Sequence, residues 1–516
     1  MNINKNILKS LLTIAVFQLV FFVDGIARQN NKTVFAVSNL LQNDMVIQQG
    51  KPMKVWGTAN AGDEIMVLAD WMKTAKIIHA GSKNEWLTEI KVPPAKEGDF
   101  EPHTISVIHD HDTITLENIL IGEVWLCGGQ SNMDMELKPF LPWLQGVINY
   151  ESEIAKADHQ AIRLLDIKTE FKAEPVSTCK GTWKICNPTN AADFSAVAYY
   201  FALELLNKLK VPVGLVVSSV GGSSCQIWTS RETLAADPLL KAKYLYPYDT
   251  SRASKEPLDS IITFEKVVRP SLFYNAMIYP LKNISIRGFL WYQGESNKED
   301  KEMYTRLNIA MIKNWRNLFQ QGDLPFYYVQ VAPYNWQQND STAFNYAIFR
   351  EAQQAILKEK NTGIASTMDI GDADDIHPRN KKDVGIRLAE NALAKTYGLK
   401  NIAYKGPQYN DFKMSNDTCI VSFERESIGA GLTTSDHQMP KHFFVAGADK
   451  IFHAAIAKII NNKVRLFSPE VRNPVAVRYA FTNYPITNFC NKNGLPAMPF
   501  RTDKWDELPS QNQTAK

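Results

Sequence analysis

The chain has 516 residues, of which 45% are hydrophobic and 11% aromatic, enough apolar side chains for two or three packed cores. A net charge of +3 without any basic block gives no footprint for a nucleic-acid partner. Six cysteines in so long a chain exclude a disulfide scaffold.

Residues 1–27 read as a secretory signal peptide. Lys5 and Lys9 precede the apolar run Leu11–Val23, and Gly25-Ile26-Ala27 supplies small residues for cleavage. The run is shorter than the ~20 residues of a bilayer span. The competing reading is an uncleaved anchor; no cysteine follows the run to carry a lipid. The mature protein is expected to be exported, periplasmic or extracellular, with no stable membrane insertion.

Residues 28–120 are expected to form a β-sandwich. Met53–Gly57, Glu64–Leu68, Trp86–Ile90 and His103–Ile108 are short strand-like runs separated by Gly, Pro, Asn and Asp. From 121 to 400 the pattern changes to longer apolar runs, at Val124–Cys127, Val213–Val217, Gly288–Tyr292, Phe326–Val331 and Ile364–Met368. Such runs suit buried parallel strands. Helical stretches lie between and after them, at Ala196–Lys208, Met303–Trp315, Asn345–Lys358 and Lys381–Tyr397. That alternation predicts an α/β/α three-layer domain with a mostly parallel sheet. Residues 401–508 return to short segments such as Cys419–Phe423 and Val475–Tyr479 and are expected to be β-rich; 509–516 form a polar, disordered tail.

Cys179 and Cys186 are close enough in sequence to close a small loop, whereas Cys127 reads as a packed thiol. No cysteine pair or Cys–His cluster has zinc-site spacing. His109-Asp110-His111 has the right residue types for a metal but reads as a solvated turn. Neither a metal nor a cofactor is expected.

Three motifs end apolar runs, where an open α/β sheet places its chemistry. Gly128-Gly129-Gln130-Ser131-Asn132 offers a serine hydroxyl on a glycine-freed turn. Such a hydroxyl needs a neighbouring base. His377 is the strongest of nine histidines, because Asp374 lies three residues earlier and can orient its ring. Asp372 and Asp375 compete for that role. Pro378 suggests that the loop turns directly into a helix with the proline at its first position. The oxyanion needs donors. Val220-Gly221-Gly222-Ser223-Ser224 offers backbone N–H groups, and Gln293 offers a side-chain amide. Ser296 is a rival nucleophile without the glycine lead-in. No Gly-x-Ser-x-Gly elbow occurs, which argues against the α/β-hydrolase layout.

Gly129–Met133, Trp291–Asn297 and Asp374–Pro378 resemble the blocks of SGNH-type carbohydrate esterases, in particular the sialate O-acetylesterase family, with acetylxylan esterases as relatives. Met45–Gln49 resembles that family's N-terminal opening, Phe349–Gln353 an internal helix motif, and Val477–Ala480 with Gly494–Arg501 its C-terminal signature. The resemblance implies Ser131 as nucleophile, His377 as base, Asp374 as its orienter, and Gly222 and Gln293 completing the oxyanion hole with the Ser131 N–H. Asn297 departs from the pattern, since relatives often carry an acid there, and Ser223-Ser224-Cys225 replaces a more usual threonine-containing stretch.

The implied protein is a secreted serine esterase that removes O-acetyl groups from a glycan through an acetyl-enzyme, foremost from 9-O-acetylated sialic acid. Acetylated xylan or another plant polysaccharide is the alternative substrate. A glycan-binding protein on an esterase scaffold is the alternative of another class. Asn132, Trp228, Glu295 and Arg350 are the candidate substrate contacts. Trp228 could equally be a core residue, and Arg350 could instead pair with a buried Glu295.

Overall fold

The computed structural model describes residues 33–336, 343–415 and 417–505. The expected signal peptide and polar tail lie outside the described residues.

Burial alternates with period two in the strand Glu85–Lys91, where Trp86, Thr88 and Ile90 point inward and their neighbours outward. This strand pairs antiparallel with Pro52–Thr58, which also pairs with Ala36–Val37. A second layer contains Glu64–Ala69, Lys76–His79 and His103–His109. Val55, Ile65, Val67, Trp86, Ile105 and Val107 fill the space between the two layers.

The strand Asp112–Gly129 carries the chain out of that sandwich. Its first residues alternate in exposure against His103–His109, and from Ile119 onward every residue is buried. The change marks entry into a sheet covered on both faces. The strand runs unbroken across position 121, where the sequence pattern changes. In the central sheet the order is Trp183–Cys186, His159–Asp166, Val213–Ser219, Asp112–Gly129, Gly288–Tyr292, Phe326–Val329, Thr362–Ala365. All pairings are parallel except that of the first two strands. From Asp112–Gly129 the chain first builds the strands on one side, ending with Val213–Ser219 next to it, and then crosses to Gly288–Tyr292, Phe326–Val329 and Thr362–Ala365 on the other, which makes its carboxyl end a topological switch point.

Alternate side chains of this strand feed two cores. Trp125 and Cys127 face the helices Ala196–Leu209 and Lys381–Asn391, while Leu126 faces the layer containing Glu302–Phe319 and Asn345–Gln354. Ser195 caps the first of these helices and also donates from Oγ to the Met133 carbonyl at 2.6 Å. Pro378 does not begin the last helix. Asn380 caps it through the Asp383 N–H, so the helix starts at Lys381. All six cysteines are free and buried. Cys179 and Cys186 do not pair, because they point into different cores.

The C-terminal residues form two four-stranded sheets and a two-stranded one around Val421, Phe443, Tyr479, Phe489 and Phe500. No helix among the described residues is long and apolar enough to cross a membrane.

Glu123 joins the N-terminal layers to the central sheet. Its buried carboxylate accepts from Arg287 Nε at 2.7 Å, Gln49 Nε2 at 2.6 Å and Gln48 Nε2 at 3.1 Å. Gln48 Oε1 in turn accepts from the Val124 N–H at 2.9 Å. Removing one partner of such a network leaves the others unpaired. Glu123→Ala is expected to cost about 3 kcal/mol of unfolding free energy, measured by urea denaturation. A loss below about 0.5 kcal/mol would show that the network contributes nothing net.

Candidate active site

The carboxyl end of Asp112–Gly129 is crowded. A Cβ at Gly129 would sit 2.2 Å from the Tyr292 carbonyl oxygen, and φ there is +148°, so glycine alone suits the position. The close approach lets the Gln130 N–H donate to the Tyr292 carbonyl at 3.0 Å. The chain then turns into the short helix Ser131–Asp134. Ser131 is partly exposed at its start.

His377 comes from the loop beyond the strand Thr362–Ala365. Its Nε2 lies 2.8 Å from Ser131 Oγ. Two motifs 246 residues apart thus meet in hydrogen-bonding contact. Burial holds the imidazole below its usual pKa of 6.5; the nearby Lys381 ammonium adds to this, and Asp375 opposes it.

The carboxylate facing the ring is Asp375, not the expected Asp374. Asp375 Oδ1 accepts from the His377 N–H at 2.8 Å and lies 3.4 Å from Nδ1. This turn folds the Asp375 side chain back over its own loop. Asp374 instead donates its N–H to Asp372 Oδ1 at 2.9 Å, and its side chain is exposed. The Nδ1 contact is long for a hydrogen bond.

Gly221 and Gly222 follow the strand Val213–Ser219. A Cβ at Gly221 would lie 3.7 Å from Ser131 Cβ, so this turn borders the serine. The N–H groups of Ser131, Gly221 and Gly222 find no acceptor among the described residues. Gln293 differs from the expected free donor. Its buried Nε2 is committed to Asn297 Oδ1 at 2.7 Å and the Ser223 carbonyl at 3.1 Å. Tyr304 donates to its Oε1 at 3.0 Å. Asn297 completes the floor, accepting from the Cys225 N–H at 2.8 Å and donating to Asp300 at 2.8 Å.

The other candidate contacts lie away from the cleft. Trp228 is fully buried against Trp291 and Phe273, with its indole N–H on Ser223 Oγ at 2.9 Å. Arg350 is also fully buried and pairs with no carboxylate among the described residues. Its guanidinium donates to the carbonyls of Thr482 at 2.6 Å and Asn483 at 3.0 Å. Burial lowers its pKa to about 10. Asn132 and Glu295 are buried and bonded to one another at 2.6 Å. The rival Ser296 has its hydroxyl committed to the Gly222 carbonyl at 2.8 Å, and no histidine or carboxylate among the described residues hydrogen-bonds to it.

Sequence reasoning passed over Gln130, Lys381 and Arg379. Gln130 Oε1 accepts from the N–H groups of Gly294 at 3.2 Å and Ser296 at 3.3 Å, tying the first motif to the second. Lys381 is a lysine at the first position of a helix, where the dipole disfavours a cation; that anomaly was readable.

Residues 121–394 match the carbohydrate esterase family of sialic acid-specific acetylesterases. This span exceeds half of the chain. The chain belongs to that family. A rat sialate O-acetylesterase is 30% identical over 76% of this chain and 79% of its own length. The mouse sialate O-acetylesterase is 27% identical over 94% and 97%. Among solved structures, a carbohydrate acetylesterase from Xanthomonas citri superposes with a TM-score of 0.80 at 31% identity, covering 92% of this chain and all of that one. The protein is accordingly a carbohydrate O-acetylesterase, and its three-layer sheet with flanking β regions is the fold of that relative.

The geometry separates the two aspartates. Asp375→Asn is expected to lower ester turnover on the order of a hundredfold or more, by disturbing the tautomer of His377. Asp374→Asn should change kcat by less than about threefold. The opposite order, measured with 4-nitrophenyl acetate, would return the orienting role to Asp374.

Proposed function

We propose that the protein is an exported serine esterase that removes acetyl groups from sialic acid, with the 9-O-acetyl ester as its principal substrate. The observation that carries the mechanism is the 2.8 Å contact between Ser131 Oγ and His377 Nε2 at the sheet's switch point. The substrate reading rests on the sialate O-acetylesterases among its relatives.

In this mechanism Ser131 Oγ attacks the acetyl carbonyl while its proton passes to His377 Nε2. The oxyanion is met by the N–H groups of Ser131 and Gly222, with Gly221 alongside. Gln293 acts indirectly, by fixing the turn that presents those glycines. The imidazolium then protonates the departing sugar oxygen, leaving an acetyl-serine. A water gives its proton to Nε2 and attacks the acetyl carbonyl, and acetate leaves as Ser131 regains its proton. Asp375 stabilises the imidazolium in both halves.

Ser131→Ala should remove turnover of acetylated sialic acid by several orders of magnitude without unfolding the protein. Ser296→Ala should retain it within about tenfold. The reverse result would overturn the assignment. Because neutral His377 is the base and its pKa is held below 6.5, kcat/KM should fall in acid with a midpoint under that value. A midpoint at or above it would contradict this environment for the base.

A sialate carboxylate calls for a cation at the cleft, and Arg350 is fully buried with its terminal nitrogens on the Thr482 and Asn483 carbonyls. Arg379 is the candidate. It is exposed two residues after His377, with Nε on the Gly146 carbonyl at 3.1 Å and one terminal nitrogen on Val147 at 3.0 Å. Arg379→Ala should lower kcat/KM for acetylated sialic acid at least about tenfold relative to acetylated xylose. An unchanged ratio would remove Arg379 from the pocket. Equal turnover of the two sugars by the wild type would remove the sialate preference itself.

A further inference from the structure

Behind Ser131 and His377 lies a buried polar cluster that the mechanism leaves unused. Lys381 is fully buried at the first turn of the helix Lys381–Asn391. Both burial and the positive end of the helix dipole disfavour its charge. Its Nζ donates to Asn132 Oδ1 at 2.5 Å and lies 5.4 Å from the centre of the Tyr292 ring. The Asn132 amide donates in two directions, to Glu295 Oε1 at 2.6 Å and to the Ile376 carbonyl at 3.1 Å. Among the described residues Glu295 Oε2 has no hydrogen-bond partner, although it is buried.

Asn132 adjoins Ser131 in sequence, and Ile376 adjoins His377. Their hydrogen bond therefore spans the proposed nucleophile and base from behind, and Lys381 fixes which way the asparagine amide points. With its carbonyl oxygen on an ammonium, the amide can present only donors to Glu295 and Ile376. A flipped amide would set its NH₂ against the lysine and break all three bonds.

We propose that Lys381 is a positioning residue of the deacetylation, holding Asn132 as the clamp between the Ser131 turn and the His377 loop. The proposal rests on the reading of Ser131 and His377 as nucleophile and base. The charged groups facing Lys381 are Glu295 at the end of the strand Gly288–Tyr292 and Asp375 and His377 from the base loop. Asn132 and Tyr292 face it as neutral groups. Burial brings the Lys381 pKa down to about 7, while Glu295 and Asp375 oppose the shift. Below neutrality, where the imidazole titrates, the ammonium is present and acts on it. Removing the charge must therefore raise the pKa of His377 and move the acid limb upward.

The test compares Lys381→Met, Lys381→Gln and Lys381→Arg in the full-length protein. Two readouts are followed against pH: kcat/KM for an acetyl ester, and the rate of covalent labelling of Ser131 by a fluorophosphonate. Lys381→Met should lower kcat on the order of 10- to 100-fold with KM nearly unchanged, because it loosens the geometry without touching substrate. Its acid midpoint should rise toward that of an ordinary histidine. Lys381→Gln keeps a donor for Asn132 without the charge, so it should recover rate and not midpoint. Lys381→Arg keeps the charge and should recover the midpoint. Identical midpoints in wild type, Met and Gln variants would overturn the proposal, as would the absence of folded protein for all three, which would make Lys381 a residue of the fold alone. Failure of the underlying reading looks different: the wild type would then not label at Ser131 at any pH.

Discussion

Everything at the site depends on how closely Gly129 approaches the neighbouring strand. With no side chain there, the end of Asp112–Gly129 presses against the Tyr292 carbonyl, and the Gly129 carbonyl accepts from the Val220 N–H at 3.1 Å and from Ser223 Oγ at 3.3 Å. One glycine thus gathers the ends of three adjacent parallel strands. Each strand end then releases a loop in a fixed direction: the Ser131 turn from the middle, the Gly221-Gly222 turn from one side, and the Gln293–Asn297 turn from the other. A side chain at this point would spread those strand ends, and the serine, the backbone donors and the buried amides would no longer converge.

Beneath that convergence the protein has put amides where charges would be costly. Gln130, Gln293, Asn297, Gln226 and Asn132 link the three loops through donors and acceptors that are mutually satisfied. A neutral amide can both give and receive, so it can join backbone carbonyls to backbone N–H groups without the desolvation cost of an ion. Asn297 illustrates the advantage over an acid. It accepts from the Cys225 N–H and the Gln293 amide through Oδ1 and donates to Gln226 and Asp300 through Nδ2. An ionised aspartate could not make the last two bonds.

The sequence carried the strand-to-loop junctions well, because long apolar runs ending in Gly, Ser and Asn are both a structural and a chemical signal. The places of Ser131 and His377 at those junctions were legible for that reason. Which carboxylate faces the ring was not, since spacing favoured Asp374 and the loop's backbone sets Asp375 there instead. The turn made by its own side chain decides the matter, and that is a local hydrogen bond invisible to spacing arguments. Trp228 and Arg350 failed as substrate contacts for another reason. Residue type suggested stacking and charge recognition, but exposure belongs to the tertiary structure, and both side chains are wholly interior.

The motif around Arg350 gains its meaning from this interior position. Arg350 holds the carbonyls of Thr482 and Asn483, and Glu351 accepts from Arg501 Nε at 3.1 Å. Gln354 Nε2 donates to the Pro499 carbonyl at 3.0 Å, so three residues of one helix grip the C-terminal segment. The fourth, Gln353, turns the other way. Its Oε1 accepts from the Val331 N–H at 2.9 Å, and its Nε2 reaches the Gln293 carbonyl at 3.3 Å beside the site floor. Helical periodicity explains the division, because Arg350 and Gln354 share one face while Gln353 lies about 100° away from Gln354. The helix is therefore a bracket between the C-terminal sheets and the strand end that carries Gln293. A motif that looks catalytic by its charge works by carbonyl capture, and the C-terminal sheets contribute to the acetylesterase by bracing the wall of its cleft.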